Sequence, residues 1–255
     1  MKNILWRYIL KLSFLSKPSV KYCVDHGLLP KVLTNTPSKA LRELLFLPPS
    51  SQITQLNQDI FALVVNQFKP GYYIEIGAND GFTLSNTLYL EEHFGWSGLL
   101  AEANPKYADS LSRRKRAIII NKAIADEAGV AQFTDAGLHG GLTKLLDTLH
   151  AHHTDHAPRI SVPCITLQQL FDDVSVPAVI DFISIDVEGG EYPIVRQLVQ
   201  NERRVRCGCI EVNQRKNDIN MMKSLLENAG YKIVWEGLTG HDVYFVDPKL
   251  CSRGL

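Results

Sequence analysis

The sequence predicts an α/β protein in which strands alternate with helices and an antiparallel pair closes the chain. Three observations predict it. Short β-prone apolar runs at 73–76, 99–100, 118–120, 179–185 and 209–212 are separated by longer segments of helical character. The first run enters a tight turn, Gly77-Ala78-Asn79-Asp80-Gly81. The fourth ends in Asp186-Val187-Glu188-Gly189-Gly190-Glu191, three carboxylates among glycines. Folds of this class bind ligands at the carboxyl ends of their strands, where both stretches fall.

Composition bounds the function. The chain has 255 residues, 45% hydrophobic and 21% charged, enough for one sizeable core. Its formal net charge is zero, so bulk electrostatics give no support for a nucleic-acid partner. The five cysteines, Cys23, Cys164, Cys207, Cys209 and Cys251, are odd in number and lack C-x-x-C spacing. Neither a disulfide framework nor a structural zinc site follows, and a reducing, cytoplasmic setting is expected. No apolar run reaches the roughly 18–20 residues that span a bilayer.

Residues 1–52 are expected to form a helical extension and 53–255 the main domain. At the start, Ile4, Leu5, Tyr8, Ile9, Leu12 and Leu15 recur at helical spacing, with Asn3, Arg7 and Lys11 on the other side. This basic amphipathic helix over 1–17 suits peripheral contact with an anionic membrane surface, and equally packing on the domain or on a second copy in an oligomer. Pro18, Pro30, Pro37, Pro48 and Pro49 then punctuate the chain, with a short helix expected over 38–45. Thr54 is placed to cap a helix over 55–68 whose inner face carries Leu56, Ile60, Leu63, Val64 and Phe68.

Tyr73, Ile74 and Ile76 make the first strand, and Glu75 interrupts the apolar run with a carboxylate. A helix is expected over 83–93. The glycine pattern is E-x-G-x-x-x-G, whereas a dinucleotide fingerprint is G-x-G-x-x-G. A carboxylate two residues before the first glycine would repel a pyrophosphate. It suits a ligand with positive charge, such as the amino group and sulfonium of S-adenosylmethionine. Residues 95–98 read as a loop and Leu99-Leu100 as the second strand, ending at Glu102, where an acid accepts ribose hydroxyls in nucleotide-binding folds. A helix over 106–114 follows, then the third strand and the segment Asn121 to Asp126, a position flanking an adenine ring. Residues 129–134 read as a small strand on a reversal. Pro193 suits the first turn of a helix reaching to Gln200. Glu211 lies near the end of the fifth strand, Gly230 stops a helix over 219–229, and 231–235 with 243–246 form the closing hairpin.

These stretches together resemble the FkbM-type S-adenosylmethionine-dependent methyltransferases. The resemblance runs from about Gly71 to Pro248 and rests on EIGANDG (75–81), AEANP (101–105), NKAIAD (121–126), TLQQL (166–170) and IDVEGGE (185–191). It implies a Rossmann-like, doubly wound sheet of seven strands with the last one antiparallel. It also implies cofactor contacts: Glu75, Gly77, Asn79 and Gly81 at the methionine end, Glu102 at the ribose, Ala123, Ile124 and Asp126 at the adenine, and Asp186 at the reacting end. Residues before Pro48 fall outside it.

Methyl transfer requires the nucleophile to be held in line with the methyl group. A hydroxyl acceptor also needs help in losing its proton, and Asp186, Glu188 and His139 are the candidates. Glu188 and Glu191 suit equally the ordering of their own loop. The sequence admits a divalent cation without requiring one. His150, His152, His153 and His156 are close in sequence but lack a metal-site pattern, so they read as a polar loop. His139-Gly140-Gly141 could hinge a loop over the site. The expected activity is O-methylation of a small-molecule or glycan acceptor, led by a sugar of a polysaccharide or glycolipid. A polyketide or other small-molecule hydroxyl and a non-catalytic binding or scaffold module are the alternatives.

Overall fold

The computed structural model describes residues 54, 58–146, 154–212, 216–234 and 242–251. The expected helices over 1–17 and 38–45 lie outside the described residues, as do His150, His152 and His153. In chain order the strands are β1 (Tyr72–Ile76), β2 (Ser97–Ala101), β3 (Ala117–Ile120), β4 (Ala123–Ile124), β5 (Gly129–Thr134), β6 (Gly141–Leu142), β7 (Arg159–Ile165), β8 (Val179–Ile185), β9 (Arg204–Glu211), β10 (Lys232–Val234) and β11 (Asp242–Val246). The α-helices are α1 (Gln58–Val65), α2 (Leu88–Phe94), α3 (Ala108–Leu111), α4 (Leu167–Asp173), α5 (Glu191–Gln200) and α6 (Lys216–Asn228).

Seven strands form the main sheet in the order β10-β11-β9-β8-β1-β2-β3. All neighbours are parallel except β11, which runs antiparallel to both β9 and β10. The expected Rossmann-like sheet with a reversed final strand is therefore present. Strand alternation splits the core across its two faces. Ile74, Ile76, Leu99 and Ile183 pack in one cluster with Leu170 of α4, Leu198 of α5 and Leu226 of α6. Tyr73, Leu100 and Phe182 pack in the other with Phe61 and Leu63 of α1 and Leu90 of α2. The chain leaves β1 for β2 and β3 at one edge and returns beside β1 as β8, so the order reverses at the β1–β8 junction.

Three local readings are corrected. The helix expected over 83–93 starts only at Leu88, because Asn86 N and the hydroxyls of Ser85 and Thr87 donate to the Glu75 carboxylate. Ser97 and Gly98, read as loop, belong to β2; a Cβ on Gly98 would meet the Tyr73 carbonyl at 2.0 Å, so glycine lets the two strands close. Thr54 donates its hydroxyl to Asp59 Oδ1 at 2.9 Å, and the helix expected over 55–68, of which 55–57 lie outside the described residues, ends at Val65, because Gln67 and Phe68 turn left-handed at φ 55° and 57°.

A second sheet, β4-β7-β5-β6, stands beside the first. Strand β5 was legible in the sequence, whereas β7 was not, since Pro163 interrupts it. Pro163 is tolerated because β4 pairs with β7 only at Cys164 and Ile165. Among the described residues, no helix is long and apolar enough to cross a membrane.

Candidate functional site

The β1–β8 junction opens into a cavity of about 500 Å³, within the range of small-molecule sites. Ile76 and Asp186 join its two sides, the Asp186 amide donating to the Ile76 carbonyl at 2.9 Å. Glu75, Ser184, Asp186, Glu211 and Asp242 line one end. Glu102, Tyr107, Lys122, Ala123 and Ile124 line another part of the wall. The small sheet and its loop add Phe133, Leu138, His139 and Leu142.

The glycine turn is fixed at every step. The amides of Gly77 and Ala78 donate to the Ala101 carbonyl, at 2.9 and 3.2 Å. Asn79 is left-handed, φ 49°, and its amide donates to Glu102 Oε2 at 2.8 Å. The other Glu102 oxygen accepts the Asn104 amide at 2.7 Å. Burial pushes the Glu102 carboxyl up to about 7, against the pull of those backbone donors. Each carboxylate oxygen has a second lone pair, so Glu102 can still accept from a ligand hydroxyl. Asp80 closes the turn locally, accepting from Phe82 N, Thr83 N and Thr83 Oγ1.

Glu75 is buried, and burial raises its carboxyl above the ordinary range, although Arg114 and the donors of residues 85–87 oppose this. Its side chain is thus committed to ordering the segment between the turn and α2. Ser184 continues the floor, accepting from Asn86 Nδ2 at 2.8 Å.

At the end of β8, burial and then a hydrogen bond with Glu211 raise Asp186 well above the usual carboxylate range. Burial lifts Glu211 to about 7, against the hydrogen bond with Asp186, which lowers it. Asp242, opposite Glu211 in the β9–β11 register, is likewise pushed up to about 7 by burial and then by the Asp186 charge. Asp186, Glu188 and Glu211 each offer one oxygen, all within 4.8 Å of one another, a spacing open to a divalent cation.

The loop after β8 separates two acids that the sequence left equivalent. Glu191 accepts from the amides of Val187 and Gly189 at 3.0–3.1 Å, ordering the loop. Glu188, in a left-handed conformation at φ 58°, lies 3.5 Å from His139 Nδ1 with one of its carboxylate oxygens. His139 comes from the 3₁₀ turn before β6, and β6 is packed so close that a Cβ on Gly141 would meet the Val187 carbonyl at 2.9 Å.

Of the residues singled out from the sequence, the cavity wall gathers Glu75, Gly77, Asn79, Glu102, Ala123, Ile124, His139, Asp186 and Glu188. Gly81 and Asp126 are not among its lining residues. The Gly81 carbonyl accepts from Arg114 Nη1 at 2.6 Å. Asp126 is nearly half exposed and pairs with Arg196 at 2.8 Å. Sequence reasoning missed Asp242 and the apolar wall from Phe133, Leu138 and Leu142. No spacing rule connects these residues to the turn; the strand-end position of Glu211 was the one available signal.

Residues 75–233 match the family described as the Methyltransferase FkbM domain. The chain belongs to this FkbM methyltransferase family. The family and fold are those of S-adenosylmethionine-dependent methyltransferases. No protein among curated sequences matches the chain. Among solved structures, the FkbM methyltransferase of Methylobacillus flagellatus KT is similar, with 11% identity over 88% of this chain and 59% of that one at a TM-score of 0.42. The present FkbM-family chain thus spans about 59% of the length of that relative. The Methanococcus jannaschii fibrillarin pre-rRNA processing protein shares 17% identity over 71% of this chain and 67% of that one, TM-score 0.41. M. jannaschii TYW2, solved in complex with AdoMet, shares 13% over 78% of each chain, TM-score 0.37.

The cavity of the FkbM-family chain fits this cofactor chemically. Asn79 Oδ1 is buried on the wall without a hydrogen-bond partner among the described residues, an acceptor waiting for a donor. Carboxylates, which suit an ammonium and a sulfonium, outnumber cations along the lining.

Proposed function

We propose that the protein methylates a hydroxyl group, and that the leading acceptor class is a sugar of a polysaccharide or glycolipid. S-Adenosylmethionine would supply a methyl group already activated on a sulfonium. Asn79 and Glu102 would hold the cofactor along the turn and at the ribose, with Ala123 and Ile124 beside the adenine.

The observation that carries the hydroxyl reading is the His139–Glu188 pair at 3.5 Å on the cavity wall. An alcohol is a weak nucleophile until its proton is drawn away. His139 would take that proton on the nitrogen turned from Glu188, and Glu188 would stabilise the imidazolium that forms. Asp186, close beside Glu211, would orient the hydroxyl. The acceptor enters between Asp186 and the wall from Leu138 and Leu142, and closure of that wall would exclude water.

That apolar wall also supports a second reading, a polyketide or other small-molecule hydroxyl, since a hydrocarbon face would pack against it. The deciding experiment is transfer of labelled methyl from S-adenosylmethionine to parallel panels of glycans, glycolipids and polyketide alcohols. Label on a sugar oxygen supports the leading reading. Label on polyketides alone supports the second, and label on nitrogen overturns both.

A further inference from the structure

Arg114 lies within the basic run Arg113-Arg114-Lys115-Arg116, at the end of the helix expected over 106–114. In the fold it is only 4% exposed. Its guanidinium is saturated by partners from four segments. Nε donates to Glu91 Oε2 of α2 at 3.0 Å. Nη1 donates to the carbonyl of Gly81, the last residue of the glycine turn, at 2.6 Å, and to Ser85 Oγ at 3.2 Å. Nη2 donates to Thr87 Oγ1 at 3.1 Å and to Tyr73 Oη of β1 at 3.2 Å. Ser85 and Thr87 are the same two hydroxyls that hold Glu75. Glu91 is in turn anchored by the amides of Lys115 and Arg116.

We propose that Arg114 is a positioning residue for the methionine end of the cofactor site, acting through Gly81 and through the Ser85–Thr87 grip on Glu75. The guanidinium touches both ends of the segment from Gly81 to Thr87, and its planar fork fixes their spacing. A lysine keeps the charge that Glu75 and Glu91 require but cannot reach these partners together. The ribose and adenine contacts at Glu102, Ala123 and Ile124 do not pass through it. The proposal rests on the assignment of S-adenosylmethionine to this cavity.

The test compares two ligands by calorimetry on the full chain: S-adenosylmethionine, and 5′-methylthioadenosine, which lacks the amino-acid end. In Arg114→Lys, the dissociation constant for S-adenosylmethionine is expected to rise at least about tenfold, while that for 5′-methylthioadenosine stays within about twofold. Ser85→Ala, a milder change on the same network, is expected to show the same split and decides the matter if the lysine variant does not fold. Equal losses for both ligands, or unchanged S-adenosylmethionine binding in a folded variant, overturn the proposal. Failure of the wild-type chain to bind either ligand overturns the cofactor assignment itself, an outcome visible before any variant is made.

Discussion

A Cβ placed on Gly77 would lie 1.6 Å from the carbonyl oxygen of Asp186. The approach follows from the bond between Asp186 N and Ile76 O, which draws the end of β8 against the end of β1. Gly77 also adopts φ 88°, which L side chains rarely take. The first glycine of the turn is therefore required by the neighbouring backbone before any ligand arrives. Gly77→Ala should destabilise the chain by about 3 kcal/mol or more and abolish S-adenosylmethionine binding. Urea denaturation with calorimetry checks this; a stable variant with normal affinity would contradict the close approach.

Glu102 joins the turn to the end of β2 through Asn79 N and Asn104 N, and it faces the cavity. Glu102→Ala should weaken S-adenosylmethionine binding by roughly 1.5–3 kcal/mol, the scale of hydrogen bonds to a charged group. Unchanged affinity in calorimetry would remove the ribose assignment.

Stability should depend on pH in a definite direction. Glu102 and Asp242 are both raised to about 7 by burial, so the folded chain binds protons there that the unfolded chain has released. The raised values make the protonated forms favourable in the fold. Stability should thus be highest near pH 4–5, fall as pH rises towards about 7, and level off above, a loss on the order of a few kcal/mol. Glu91 works the other way: although burial opposes it, Tyr73 and Arg114 hold it below the ordinary range, and its contribution is lost only at more acid pH. Thermal melts between pH 4.5 and 8.5 test the sign, and melting temperatures that climb across the window would refute it.

His139 sits on the small sheet's side of the cavity, apart from the glycine turn. His139→Ala should slow methyl transfer to a hydroxyl acceptor by about 100-fold or more, the scale of general-base catalysis, with S-adenosylmethionine affinity within about twofold of wild type. Single-turnover transfer of labelled methyl measures the first and calorimetry the second. Full activity would leave Asp186 as the proton-handling candidate.

How much was legible depended on the range of the forces involved. The apolar runs of β1 and β8 and the stop at Gly230 are local, so they were readable, and the E-x-G-x-x-x-G spacing placed the turn correctly. The helix expected over 83–93 lost its first turn because Glu75, far back in the strand, captured the donors a helix would have used. Strand β7 was hidden by Pro163, whose tolerance depends on how little of β7 the neighbouring β4 covers. Asp126 read as part of the adenine segment, but Arg196 of α5 holds it at 2.8 Å outside the cavity lining.

The sequence by itself determined the alternation of strands and helices, the position of the glycine turn and the acids at strand ends, because periodicity, turn chemistry and backbone freedom act over a few residues. Only the tertiary structure decided which acids share the cavity, that Glu191 orders a loop while Glu188 meets His139, and that one arginine of a basic run is buried against Glu91 and the turn. Those outcomes are set by desolvation and by pairings between residues distant in the chain. Such energies exist only once the sheet has brought the partners together.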